Sequence, residues 1–267
     1  MWFDGQAKEF EDSAGLEPGV GRRVAEAIVE LSGATGDDLI LDIGAGTGTI
    51  GRHFATLPHR YLGLELSGRM LAVFQQKLDP MPPNISLAEA DCDRRWPADD
   101  RTVTAVFASR VVHHLKPRHF VEETQRVCRP GGCLLFGRVT RDPESLPGRL
   151  QRYKRTLLTE YGFSKAGGEQ AVRHVLDDCR AMGATPLPPT TVASWTRSVT
   201  PRQLLDAWER KPALTSGGMT TGMSAEQRAA AVKALTSWTR AEFGDLDRTH
   251  EVAEDYRLQG VTWNQIS

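Results

Sequence analysis

No stretch of this chain approaches the roughly 18–20 uninterrupted apolar residues that a membrane-spanning helix needs, so no span is expected. Residues 1–15 are acidic and lack the basic-then-apolar order of a secretory signal. Neither sign of charge dominates, with 33 Lys and Arg against 34 Asp and Glu. The basic surplus that nucleic-acid binding draws on is therefore missing, and no nucleic-acid partner is expected. Cysteine is sparse. Cys92, Cys128, Cys133 and Cys179 are scattered without a CxxC pair, which argues against a zinc site or a disulfide framework and fits free thiols in a reducing compartment, the cytoplasm. No period of about 20–50 residues repeats along the chain.

What remains is an alternation of short apolar runs and helical segments. Val20, Val24, Ile28 and Leu31 recur at helical spacing, and Gly33 supplies a stop. Leu39–Ile43 reads as a buried strand that runs into a glycine-rich turn and a helical stretch, 49–56. Further strands are expected over 61–65, 85–90, 103–108 and 133–139, with helices over 68–78 and 117–128. Such alternation implies right-handed crossovers and a parallel sheet covered on both faces. Past Val139 the texture becomes mostly helical, with a helix over 168–182, a strand over 190–199 and a helix opened by Thr200 and Pro201. Ser224 and Gln227 spell a capping box that opens a helix to about Phe243, and 256–263 reads as a last strand. The expected organisation is a single domain, 1–267, with an N-terminal lid helix at about 1–15 and a helical cap insertion at about 198–248.

The turn Asp42-Ile43-Gly44-Ala45-Gly46-Thr47-Gly48 lies where a strand feeds a helix, and strand carboxyl ends line the binding crevice of open α/β sheets. Residues 46–51 also spell GxGxxG, and Glu65 ends the second strand as a dinucleotide fingerprint expects. Charge separates the two ligands. A pyrophosphate about 6 Å from the Asp42 carboxylate would be repelled by roughly 3 kcal/mol at an effective dielectric near 20. Three acidic strand ends, Asp42, Glu65 and Asp91, suit a cationic nucleoside better; the exocyclic amine of adenine can donate to Asp91.

From about Val20 to Val139 the chain resembles the class I S-adenosylmethionine-dependent methyltransferases of small-molecule type. The resemblance rests on LDIGAGTG at 41–48, LGLELS at 62–67, AEADC at 88–92, VFASRVVHHL at 106–115 and RVCRPGGCLLF at 126–136, in that order. It implies a Rossmann-like fold, a mostly parallel seven-stranded sheet with an antiparallel last strand. It implies S-adenosylmethionine as cofactor and S-adenosylhomocysteine as product. It also implies that the backbone at Gly44, Ala45 and Gly46 holds the methionine end and that Glu65 takes the ribose hydroxyls. Leu66 would lie against adenine, Asp91 with the Cys92 backbone at the adenine edge, and Ser109 beside the sulfonium. The region after Val139 is read by analogy as a variable cap.

A sulfonium is already a strong methyl donor, so the protein's task is to align a nucleophile and exclude water. A base is needed only for a nucleophile that is protonated at neutral pH, and His113, just past the fourth strand, is the candidate. His114 is expected to face elsewhere as a packed histidine, and Arg110 to bind an anionic group or form a surface salt bridge. The leading expectation is methyl transfer to an O, N or C atom of a small molecule such as a secondary metabolite. RNA or protein methylation, a nicotinamide-dependent oxidoreductase and a catalytically silent cofactor-binding protein stay open beside it.

Overall fold

The computed structural model describes residues 16–163, 167–210 and 223–263. The expected lid helix at 1–15 and most of the loop at 214–224 lie outside the described residues. Seven strands, β1 (Leu39–Ile43), β2 (Arg60–Glu65), β3 (Ile85–Glu89), β4 (Val103–Ser109), β5 (Cys128–Arg141), β6 (Thr185–Val199) and β7 (His250–Thr262), form one sheet in the order β3-β2-β1-β4-β5-β7-β6. The first five pair in parallel, with Asp42 level with Gly63 on one side and with Phe107 on the other. Strand order reverses between β1 and β4, with β2 and β3 added on one side of β1 and β4 and β5 on the other, and the crevice at such a switch point, outside the strand carboxyl ends, is where open α/β sheets bind ligands. β7 runs antiparallel to β5: Gly131 at the start of β5 bonds to Trp263 past the end of β7, and Thr140 near the end of β5 bonds to Asp255.

Two compact units divide the chain, and β5, β6 and β7 each contribute to both. The first holds residues 1–138, 167–193 and 256–267. Its strands are apolar on both faces, as parallel strands covered by helices must be. Leu41, Ile43, Leu64, Val106, Ala108, Leu134 and Phe136 form one core. Helix α1 (Val20–Ser32) buries Val20, Val24 and Ile28 and ends at Gly33, which takes the left-handed conformation at φ 60°. Helix α2 (Gly68–Lys77) is capped by the Ser67 hydroxyl and buries Met70, Leu71 and Phe74. Helix α3 (Pro117–Val127) opens on a proline and buries Phe120, Val121 and Val127. Helix α5 (Gly168–Ala181) adds Val175, Leu176 and Cys179 to the core.

The second unit holds residues 139–166 and 194–255. Helices α4 (Leu146–Glu160), α6 (Pro201–Arg210) and α7 (Ala225–Phe243) enclose Leu150, Leu157, Leu205, Ala231, Leu235 and Leu246. The Tyr153 ring stacks on Trp238 at 4.3 Å. Reciprocal bonds between Thr200 and Gln203, and between Ser224 and Gln227, cap α6 and α7.

Four elements differ from their expected extents, the first being β5, which begins at Cys128 rather than 133. β6 begins at Thr185 rather than 190, although Pro186, Pro188 and Pro189 lie within it. It is the outermost strand, where an outward-facing backbone position needs no donor and proline is tolerated. β7 begins at His250 rather than 256, because its charged first half finds cross-strand partners: Ser194 for Asp255, and Arg141 and Arg197 for Glu254. The stretch after the glycine turn is a 3-10 segment, Gly51–Thr56.

Candidate active site

The glycine turn is held from β2. The N–H groups of Gly44 and Ala45 both donate to the Leu64 carbonyl, at 2.8 and 3.0 Å, and the Gly46 N–H donates to the Glu65 carboxylate at 3.0 Å. Lys77 Nζ closes the other flank by donating to the Thr47 carbonyl at 2.8 Å. Glycine is required at two of these positions for different reasons. A Cβ on Gly44, at φ 73°, would stand 2.6 Å from the Val111 side chain. A Cβ on Gly46, at φ 58°, would meet nothing nearer than 3.9 Å and would project into an open hollow.

This arrangement limits what the first three positions of the turn can bind. A pyrophosphate is held by backbone N–H donors. Here the first three N–H groups of the turn are already engaged by β2, so it cannot present them to phosphate. An ammonium group needs acceptors, which such a turn can offer through its carbonyls, and the carboxylates of Asp42 and Glu65 lie at the same strand ends.

The three carboxylates have different surroundings. Asp42 is 4% exposed and accepts the Tyr61 hydroxyl at 2.6 Å. Burial pushes its carboxyl up to about 7, against the Tyr61 hydrogen bond. It is therefore drawn back from the open rim and is not the full charge expected from its place at a strand end. Glu65 is also buried; it accepts from Gly46 with one oxygen and from the Ser67 N–H with the other, at 3.0 Å each. Burial raises its carboxyl, against the pull of the Ser67, Gly46 and Leu66 N–H groups. Asp91 is exposed and meets Arg94 at 3.4 Å. The Glu65 carbonyl accepts the Ala90 N–H at 2.9 Å, which ties the ends of β2 and β3 together and brings Asp91 to the same rim. Leu66, 40% exposed, lies between them in the chain as a large apolar surface. Cys92 is buried, and its carbonyl accepts the Trp96 indole N–H at 3.0 Å. Burial pushes the Cys92 thiol up to about 12, which leaves it unreactive.

At the end of β4, Ser109 Oγ donates to the Gly137 carbonyl at 3.1 Å and lies 3.1 Å from the Tyr256 hydroxyl. With the serine proton committed to Gly137, Tyr256 is the donor of the second bond. Arg110 follows at φ 61°, a left-handed conformation that costs a long side chain of order 1–3 kcal/mol and tends to occur at functional positions. Val112–His114 form a 3-10 turn, and both histidines are exposed. Their rings are 3.9 Å apart, so His114 is not the buried, separately facing residue expected of a helix. Tyr61 and Tyr256 are the polar residues that the sequence reading missed. A signal for Tyr61 existed: a buried strand-end carboxylate needs a donor from the neighbouring strand.

The chain shares this design with known proteins. The family described as a methyltransferase domain matches residues 40–132, which include β1, the turn and β4. The ubiquinone/menaquinone biosynthesis C-methyltransferase of Syntrophotalea carbinolica is 30% identical over 172 residues, covering 63% of this chain and 72% of that protein. The chain belongs to the class I S-adenosylmethionine-dependent methyltransferases. The demethylmenaquinone methyltransferase of Protochlamydia amoebophila is 31% identical over 147 residues, 51% of this chain; the match spans only 59% of that relative's length. Among solved structures, a Bacillus halodurans protein described provisionally as a methyltransferase overlays 90% of this chain and 99% of its own with a TM-score of 0.59 at 16% identity, a likeness of fold. The cofactor of this methyltransferase is S-adenosylmethionine, which supplies the electrophilic methyl group. Among the described residues no helix is long and apolar enough to cross a membrane.

Proposed function

We propose that this methyltransferase acts on a small molecule, at an O, N or C atom, and that the switch-point crevice holds its cofactor. The observation that carries the reading is the commitment of the Gly44, Ala45 and Gly46 N–H groups to β2, because a turn so held favours a cation over a phosphate. In this reading the Gly44–Gly46 turn receives the methionine end, with Asp42 as a buried counter-charge. Glu65 takes the ribose hydroxyls, Leu66 covers adenine, and Asp91 with the Cys92 backbone meets the adenine edge. Ser109, fixed by Gly137 and Tyr256, borders the sulfonium. His113 accepts the proton of an acceptor that is an alcohol or phenol at neutral pH. The activities of the two relatives, a ubiquinone/menaquinone biosynthesis C-methyltransferase and a demethylmenaquinone methyltransferase, favour a small molecule over RNA or protein. The near balance of charge supports the same choice.

A methyl-transfer assay over phenols, quinols, amines and carboxylic acids tests this. The expected result is S-adenosylhomocysteine formation with at least one class. His113→Gln is expected to lower kcat on hydroxyl acceptors by about 10²–10⁴-fold while leaving product affinity within about twofold. Methylation of RNA or protein with none of the small molecules would contradict the reading.

A further inference from the structure

The glycine turn is gripped from two sides, and the second grip has no part in the roles assigned so far. Met70, Phe74 and Lys77 recur at i, i+4 and i+7, which sets them on one face of α2. Met70 and Phe74 are buried, and this face packs on the turn: a Cβ on Gly48 would overlap the Phe74 ring. The half-buried Lys77 is thereby brought to the turn, where its ammonium group donates to the Thr47 carbonyl at 2.8 Å. Burial pulls that ammonium below its ordinary pKa range. A lysine at the end of a surface helix keeps its charged head in water by default. This one gives up part of its hydration to hold a backbone oxygen of the turn.

The backbone groups of the turn are then divided. β2 engages the N–H groups of Gly44, Ala45 and Gly46. The Gly48 N–H donates to the Ala45 carbonyl at 3.1 Å and Lys77 engages the Thr47 carbonyl, so the peptide between Thr47 and Gly48 is fixed at both ends. No backbone donor among the described residues engages the Gly44 carbonyl, two residues past Asp42. That oxygen is also what borders the hollow over Gly46, 3.9 Å from the point where a Cβ on Gly46 would stand. An ammonium group entering the hollow therefore meets the Gly44 carbonyl. Lys77, itself an ammonium, occupies the Thr47 carbonyl and repels a second cation from it.

We propose that Lys77 is a positioning residue of the cofactor site: it fixes the Thr47–Gly48 peptide and confines the ammonium group of the ligand to the Gly44 carbonyl. The inference rests on the reading that the turn receives the methionine end, and it adds a residue that lies outside the glycine motif and the strand ends. Its test needs no turnover. Calorimetry compares two probes that share adenosine and a thioether sulfur. S-adenosylhomocysteine carries the amino-acid end, and 5′-methylthioadenosine lacks it. Lys77→Met keeps an apolar stem and loses the ammonium; it is expected to weaken S-adenosylhomocysteine about tenfold or more and to leave 5′-methylthioadenosine within about twofold. Lys77→Arg keeps a charged donor and is expected to restore S-adenosylhomocysteine binding to within about threefold of wild type. A general loosening of the fold would weaken both probes, so the split separates positioning from support. Should Lys77→Met fail to fold, Lys77→Gln, neutral and polar, carries the same comparison. Equal weakening of both probes, no weakening, or tighter binding of S-adenosylhomocysteine overturns the inference and leaves the cofactor reading in place. A wild-type protein that binds neither probe overturns both.

Discussion

Replacing Asp42 by Asn should make the protein more stable at alkaline pH and leave it unchanged in acid. The Asp42 carboxyl is 4% exposed and pushed from the usual 3.8 to about 7 by burial. A carboxyl raised on folding contributes stability that is fully present below about pH 4 and is lost as pH rises through 7. At roughly 1.4 kcal/mol per pH unit, the loss reaches about 4 kcal/mol. Asn keeps a carbonyl oxygen for the Tyr61 hydroxyl and has no charge to bury. Glu65, also raised, is present in both proteins and cancels in the comparison. Urea unfolding of both proteins between about pH 4.5 and 8 should give curves that coincide in acid and diverge towards pH 8, with Asp42→Asn the more stable. In the same variant S-adenosylhomocysteine should bind more weakly, because the ionised carboxylate that favours its ammonium group is gone. Parallel stability curves across the whole range would refute the reasoning, since they would mean that Asp42 is as easily ionised in the fold as in the unfolded chain.

Two further outcomes follow from the same geometry. Glu65→Gln leaves an amide NH2 facing either the Gly46 or the Ser67 N–H and removes the charge proposed for the ribose; calorimetry should read a loss of S-adenosylhomocysteine affinity of about tenfold or more. Gly137→Ala puts a Cβ 2.2 Å from the Tyr256 hydroxyl and 2.9 Å from the Phe107 ring; thermal unfolding should show a destabilisation of about 1–3 kcal/mol. An unchanged Tm would mean that the Ser109–Tyr256 contact is looser than described.

The sheet was legible where local pattern and fold agree. β1 to β4 are short apolar runs ended by turn residues, and their order with the intervening helices left few topologies. The capping box at Ser224 needed only four residues of sequence to be read. β6 and the first half of β7 were harder, because their local chemistry argues against a strand. Prolines are acceptable in β6 only through its place at the edge, and Glu254 is buried in β7 only because Arg141 and Arg197 reach it from neighbouring strands. In the site, strand ends located Glu65, Asp91 and Ser109, since crevice position follows from topology. The state of Asp42 was not readable, because it is set by burial within the assembled sheet and opposed by the hydroxyl of Tyr61, 19 residues away and adjacent only through strand pairing. The N–H commitments of the turn are likewise tertiary: the sequence GAGTGTIG fits either ligand, and its attachment to β2 separates them.

Calorimetric titration of the purified protein with S-adenosylmethionine, S-adenosylhomocysteine and NAD tests this central point most directly. Saturable binding of both sulfur compounds, weakened in Glu65→Gln, with no measurable heat from NAD, is the predicted result. Tight NAD binding without a response to either sulfur compound would contradict the account.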